Sequence, residues 1–140
     1  MAIRRIRALI RVPLRKRDVE LKPSRRPTRK CGVHVAPDPA KARRYVSVVR
    51  WRCPTAHVII SFNKPEGSPF VGDLFVAPAG AWAVAGVPVQ PAGKYRYTVV
   101  LFPKNGGKPL ICDPQVEVWD PRGGGGGNGR GGRTKLTGQG

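Results

Sequence analysis

Between residues 45 and 120 apolar side chains recur at every second position, and this alternation constrains the fold more than any other feature of the 140-residue chain. The clearest segment spans residues 95–102 and reads YRYTVVLF. A period of two is typical of a β-strand with one buried face, whereas a helix repeats every 3.6 residues. We therefore expect strands at 45–51, 57–62, 75–77, 81–86, 95–102 and 115–119.

Turns rich in proline, glycine and asparagine separate these segments, because proline presets φ and glycine admits positive φ. They occur at 65–67, 78–80, 91–93 and 105–107. Short strands at such intervals describe a β-sandwich, and 140 residues suffice for one small core. The sequence therefore predicts an all-β fold, a small antiparallel β-sandwich of Greek-key type over residues 31–121. No segment has the roughly 20 uninterrupted apolar residues of a membrane span.

The motif Gly93-Lys94-Tyr95-Arg96-Tyr97, followed by a loop and Cys112-Asp113-Pro114-Gln115-Val116-Glu117-Val118, resembles the last two strands of cupredoxin-like domains. The resemblance covers residues 45–120 and implies a cupredoxin-like sandwich. Copper-binding members hold the metal with two histidines, a cysteine and usually a methionine. The positions that the resemblance assigns to the cysteine, second histidine and methionine are Val99, Phe102 and Cys112. The resemblance therefore implies a copper-free scaffold, and we expect no cofactor.

Positive charge is concentrated at the N-terminus. The chain has a net charge of +18, and residues 1–30 hold twelve basic and two acidic side chains. We interpret residues 1–30 as a disordered basic arm, in which 22–30 is an extended linker. Such an arm attracts a polyanion, most of all nucleic acid, through phosphate contacts without base reading. The expected contact residues are Arg4, Arg5, Arg7, Arg11, Arg15, Lys16, Arg17, Arg25, Arg26, Arg29 and Lys30.

Other interpretations of the arm stay open. It is also compatible with a solvated tail without a ligand, a membrane-surface anchor, or an import sequence that the mature protein loses. It lacks the apolar region of a secretory signal, so we expect a cytoplasmic protein, with organelle import as the alternative. At the other end, residues 122–140 form a Gly/Arg-rich tail that we expect to be disordered.

Three cysteines and two histidines form the sharpest local pattern. Cys31 and His34 are three positions apart and Cys53 and His57 four, a spacing that suits a small zinc site. The alternatives are isolated cysteines, or one disulfide, for which Cys53–Cys112 is favoured because both lie in or beside predicted strands. An odd cysteine count and no secretory signal favour a reducing compartment.

Catalytic signatures are weak, so we predict a protein that is not an enzyme. Neither histidine belongs to a nucleophile motif, and Asp113 and Asp120 precede prolines as turn formers do. The aromatic residues Trp51, Tyr95 and Tyr97 suit core packing, with a nucleic-acid stacking surface as the alternative. A protein-interaction module that recruits a partner strand at a sheet edge is the second functional hypothesis.

Overall fold

The computed structural model describes residues 14–24 and 31–122 of the chain. These residues form eleven β-strands and no helix. The strands are β1 (Arg15–Pro23), β2 (Val33–Ala36), β3 (Ala40–Arg43), β4 (Ser47–Arg52), β5 (Ala56–Ser61), β6 (Leu74–Ala77), β7 (Ala83–Gly86), β8 (Gly93–Arg96), β9 (Thr98–Pro103), β10 (Leu110–Cys112) and β11 (Gln115–Trp119). The all-β prediction is confirmed. No helix that could cross a membrane occurs in the described ranges.

The strands form three sheets in two layers. The first sheet has the order β2-β1-β4-β7, the second β10-β9-β5-β6 and the third β3-β11-β8. The backbone N–H of Tyr97 donates to the carbonyl of Pro114 at 3.0 Å, at the point where β8 gives way to β9 and β10 to β11. The second and third sheets are thus joined through one long, bent hairpin. Most pairs are antiparallel, but β1 runs parallel to β4, and β3 runs parallel to β11.

The core lies between the layers and centres on Trp51 of β4. The centroid of its ring lies 5.5 Å from the ring centroid of Tyr97 and 6.2 Å from those of Phe62, Phe70 and Phe75. The indole Nε1–H donates to the Tyr97 hydroxyl at 3.0 Å, which gives both buried polar groups a partner. Core packing is therefore the role of these rings, and the interpretation of Trp51, Tyr95 and Tyr97 as an exposed stacking surface is wrong.

Strand β1 lies within the segment 1–30 that the sequence predicted to be a disordered arm, so this part of the prediction is wrong. Residues 1–30 were interpreted as lying outside the domain, yet 15–23 form an inner strand of the first sheet between β2 and β4. Val19 and Leu21 are fully buried in the core. Val19 and Leu21 are the only alternating apolar residues of this strand, and their neighbours are charged. The composition of the segment therefore indicated an exposed arm and not a strand. The strands β2, β3 and β10 were also missed, because each has only three or four residues.

The cysteine pairing also differs from the favoured one. Cys31 forms a disulfide with Cys112, and Cys53 is a buried free thiol. The Cys31–Cys112 bond joins the chain just before β2 to the end of β10. Cys53 follows β4 and is buried in the core, so a position beside a strand did not identify the disulfide partner.

Candidate polyanion-binding end

Cationic side chains converge at the end of the sandwich where β1 and β4 begin. The backbone N–H of Arg15 donates to the carbonyl of Val46 at 3.0 Å, and that of Arg43 donates to the Ser47 hydroxyl at 2.8 Å. The backbone N–H of Arg44 donates to the carbonyl of Trp119 at 2.9 Å. These bonds bring β1, β3, β4 and β11 together. We call the resulting cluster the basic end: Arg15, Lys16, Arg17, Arg43, Arg44, Arg122, Tyr45 and Trp119.

The two aromatic residues of the basic end are exposed. The Tyr45 side chain is 43% accessible and that of Trp119 is 44% accessible, in contrast to the buried core rings. The guanidinium carbons of Arg44 and Arg122 lie 4.7 and 4.9 Å from the Tyr45 ring centroid. That of Arg43 lies 5.5 Å from the Trp119 ring. Arginines next to exposed aromatic rings are typical of sites that bind single-stranded nucleic acid, because the arginines contact phosphates while the rings stack on bases.

Tyr45 adopts a left-handed backbone conformation, with φ of 65°. Non-glycine residues with positive φ are uncommon and concentrate at functional sites. Here the backbone N–H of Tyr45 donates to the carbonyl of Pro88 at 2.8 Å, and the Arg44 guanidinium donates to the carbonyl of Val89. The turn is therefore held by the segment after β7, and the ring of Tyr45 stays at the surface.

Little negative charge opposes the basic end. Asp120 is the carboxylate that the structure pairs with these cations, at 3.3 Å from Arg44 and 3.5 Å from Arg122, and its side chain is only 5% accessible. In the described part of the chain, Arg15, Lys16, Arg17 and Arg43 form no ion pair. Cations without a carboxylate partner remain available for phosphate oxygens.

Several carboxylates elsewhere in the domain pair with cations of their own. On the outer face of the first sheet, Asp18 accepts two hydrogen bonds from the Arg50 guanidinium, at 2.7 and 2.8 Å. This hydrogen bonding, with the charge of Arg50, lowers the pKa of Asp18 below its ordinary value. Glu20 accepts one hydrogen bond from the Arg52 guanidinium, at 3.0 Å. These pairs are cross-strand neighbours on β1 and β4, so they stabilise the sheet and leave the basic end unneutralised.

A second bidentate pair joins Glu66 to Arg96. The Arg96 guanidinium and backbone N–H all donate to the Glu66 carboxylate, at 2.8 to 2.9 Å. These hydrogen bonds lower the pKa of Glu66 to about 2. The cross-strand neighbours of Glu117 are Lys41 and Lys94. Glu66 is thus paired with a neighbouring cation, and Glu117 lies in register between two lysines.

The predicted contact residues divide into two groups. Arg15, Lys16 and Arg17 are exposed at the start of β1, within the basic end. The other predicted contacts lie outside the described residues, as does the Gly/Arg-rich tail beyond 122. The contact residues expected from the sequence do not include Arg43, Arg44, Tyr45 or Arg122. The run Arg43-Arg44-Tyr45 is a signal for the cluster, but the alternation from residue 45 onward predicts that Tyr45 begins a strand.

The zinc hypothesis is not supported by the geometry. Cys31 is committed to the disulfide with Cys112, so its sulfur is not a thiolate ligand. The His57 Nδ1 accepts a hydrogen bond from the backbone N–H of Ala79 at 3.0 Å. Within 14–24 and 31–122, no group of three or more histidine, cysteine or acidic side chains is arranged to hold a metal ion. Of the positions compared with copper ligands, Val99 is buried and Cys112 is disulfide-bonded.

Comparison with known proteins identifies no relative: no family model, curated protein or solved structure matches the chain.

Proposed function

We propose that the protein is a non-enzymatic β-sandwich module that binds nucleic acid through phosphate contacts at the basic end. The observation that carries the proposal is the convergence of six cationic side chains and two exposed rings where β1 and β4 begin. A net charge of +18 supplies long-range attraction for a polyanion. The segment that precedes β1 adds Arg4, Arg5, Arg7 and Arg11 next to this cluster in sequence.

The two kinds of side chain have different tasks. Lys16, Arg17 and Arg43 neutralise phosphates and release counterions, which supplies affinity without base specificity. The ring of Trp119 stacks on a base, which is possible only where bases are unpaired. The preferred ligand is therefore single-stranded. This division also makes the two contributions separable by experiment.

The scaffold is a cupredoxin-like sandwich in this proposal. The bent hairpin of residues 93–119 supports it, since β8–β9 and β10–β11 occupy the two segments on which the sequence resemblance depends. Binding uses the end of the sandwich and not an internal site.

Fluorescence anisotropy with a labelled 20-nucleotide oligo(dT), in a series of salt concentrations, tests the phosphate contacts. The double variant Lys16→Gln/Arg17→Gln removes two exposed cations that form no ion pair with any residue that the structure describes. The slope of log K against log salt is expected to become shallower by about 1.4, or about 0.7 for each lost contact. The matched control is Lys104→Gln/Lys108→Gln, at the opposite end of the sandwich, where the Lys104 N–H bonds the turn residue Thr55.

Equal slopes in the two double variants contradict the proposed site.

Trp119→Ala tests the stacking contribution. It is expected to weaken binding to oligo(dT) by about 1–3 kcal/mol and to leave duplex binding unchanged. An equal loss on both ligands contradicts stacking. Thermal melting of each variant confirms that the fold is retained.

A further inference from the structure

The outer face of the second sheet is apolar. Strand register aligns Ile111, Val100, Ile59 and Val76 in one row that crosses all four strands. Val76 is 62% accessible and Ile111 is 57% accessible, so the row faces solvent. Leu74 and Phe102 extend the row on either side. We call these residues the apolar face: Ile59, Leu74, Val76, Val100, Phe102 and Ile111.

This arrangement departs from the usual pattern of a sandwich. An antiparallel sheet with one solvated face alternates apolar and polar side chains. The first sheet does so, with Lys16, Asp18, Glu20, Arg50 and Arg52 on its outer face. The outward positions of β5, β6, β9 and β10 hold no charged residue and only His57, Ser61 and Thr98 as polar ones. A sheet that is apolar on both sides is typical of a middle layer, so the apolar face is expected to be covered.

We propose that the apolar face is covered by the same face of a second copy of this chain. Two-fold contacts are the commonest in soluble oligomers, because one patch serves both partners. Sheet-on-sheet packing at about 10 Å lets the two rows interdigitate. A shallow groove lined by His57, Val76, Pro78 and Phe102 can accept side chains of the other copy.

Charge selects the direction of the two-fold axis. Lys104 and Lys108 are exposed in the turn between β9 and β10, at one end of the apolar face. If the two-fold axis is parallel to the strands, the two lysines of one copy lie beside the same two lysines of the other copy. If the axis is perpendicular to the strands and follows the row, the lysines of the two copies lie at opposite ends of the contact. Each pair of lysines then lies next to the Lys64–Asp113 ion pair of the other copy. The strands of the two copies then run antiparallel, and Val76 of one copy lies near Val76 of the other.

The large net charge does not prevent this contact. The basic end and the charged outer surface of the first sheet belong to other parts of the sandwich than the apolar face. Two sandwiches stacked through this face hold their first sheets roughly 30 Å apart, given about 10 Å between layers. Salt screens charges beyond about 8 Å at physiological ionic strength. The dimer therefore presents two basic surfaces on opposite sides.

The size of the face predicts a weak dimer. The four strands lie about 4.8 Å apart and together contain nineteen residues at about 3.3 Å each, which gives roughly 300 Å² of flat area in each copy. Two copies then bury roughly 600 Å² before the extra area of the side chains is counted, which is below the lower limit of about 1,200 Å² for stable interfaces and typical of transient ones. We expect a dissociation constant on the order of 100 μM.

Sedimentation velocity of the full chain, treated with nuclease, tests the proposal over a concentration series. The wild-type protein is expected to change from monomer to dimer with increasing concentration, and no less readily in high salt, because apolar contacts are not screened. Val76→Asp is expected to weaken dimerisation at least about tenfold, since it buries two like charges near the axis. The matched control Val84→Asp, on the outer face of the first sheet and 52% accessible, is expected to dimerise as the wild type does.

A monomer at all concentrations up to about 0.5 mM, several times the expected dissociation constant, overturns the proposal. Equal weakening by Val76→Asp and Val84→Asp also overturns it. A Val76→Cys variant tests the axis, because a short bismaleimide crosslinker is expected to join two copies through this cysteine and not through that of Val84→Cys. Oligo(dT) binding by the monomeric Val76→Asp variant is expected to persist at the level of a single site, so failure of the dimer and failure of nucleic-acid binding are distinguishable.

Discussion

The Cys31–Cys112 disulfide is expected to supply a large part of the stability of this domain. It joins residues 81 positions apart, and the Cα atoms lie 5.3 Å apart, within the range of natural disulfides. The bond restricts the unfolded chain by closing a long loop. For a loop of this length the chain-entropy relation gives about 15 cal/mol/K, or about 4.5 kcal/mol at 25 °C.

The perturbation is the double variant Cys31→Ser/Cys112→Ser. In a domain of about 100 residues, 1 kcal/mol corresponds to about 4–5 °C in melting temperature. We therefore expect the variant to lose about 3–4.5 kcal/mol in urea unfolding and about 15–20 °C in thermal melting. Fluorescence of the buried Trp51 reports the transition, because unfolding brings this ring into water.

Reduction provides the control for this prediction. Dithiothreitol is expected to lower the stability of the wild type to that of the double variant and to leave the variant unchanged. Thiol titration of the unfolded, unreduced wild type should count one free thiol, that of Cys53. A stability difference below about 1 kcal/mol refutes the loop-closure reasoning, because even short loops give more than this. Three free thiols refute the pairing.

The remaining predictions concern the core, the acid range and the domain boundary. Tyr97→Phe leaves the Trp51 Nε1–H buried without an acceptor, so urea unfolding is expected to show a loss of about 1–3 kcal/mol, and a neutral result contradicts the role of this bond. The folded-state pKa of Glu66 is lowered to about 2 from 4.5, so its stabilisation is complete above about pH 4.5 and is lost as the pH falls towards 2. Glu66→Gln should therefore be less stable at pH 7 and lose less stability on acidification, and parallel pH profiles of urea unfolding contradict this. Removal of residues 1–13 should preserve the near-ultraviolet circular dichroism, whereas removal of 1–24 should abolish it with the loss of β1.

Local patterns predicted the part of the fold in which they are strongest. Alternation over 95–102 and 115–119 identified β8, β9 and β11 with the correct inward residues, because a period of two fixes which face of a strand is buried. Trp51 was expected in the core and lies there. The same reasoning failed at β1, since Val19 and Leu21 among six charged neighbours indicate an exposed segment when composition alone is considered.

The two candidate clusters, the basic end and the apolar face, could not be predicted from sequence for a different reason. Arg43 and Tyr45 are neighbours in the chain, but Arg15 and Arg122 reach them only because β1 runs parallel to β4 and β3 runs parallel to β11. The row from Ile111 to Val76 exists only through the register of four strands. No local pattern encodes which strands become neighbours, since pairing depends on the whole chain.

The sequence by itself determined that this chain folds into β-structure and is strongly cationic, since alternation and charge are properties of consecutive residues. The tertiary structure decided which cysteines pair, which of the described cations lack a carboxylate partner, and which sheet has an apolar outer face. Each of these depends on side chains far apart in sequence that meet only when strands pack. The physical reason is that the free energy that stabilises a β-sandwich comes mostly from contacts between residues far apart in sequence. Strand order and register fix which residues make these contacts.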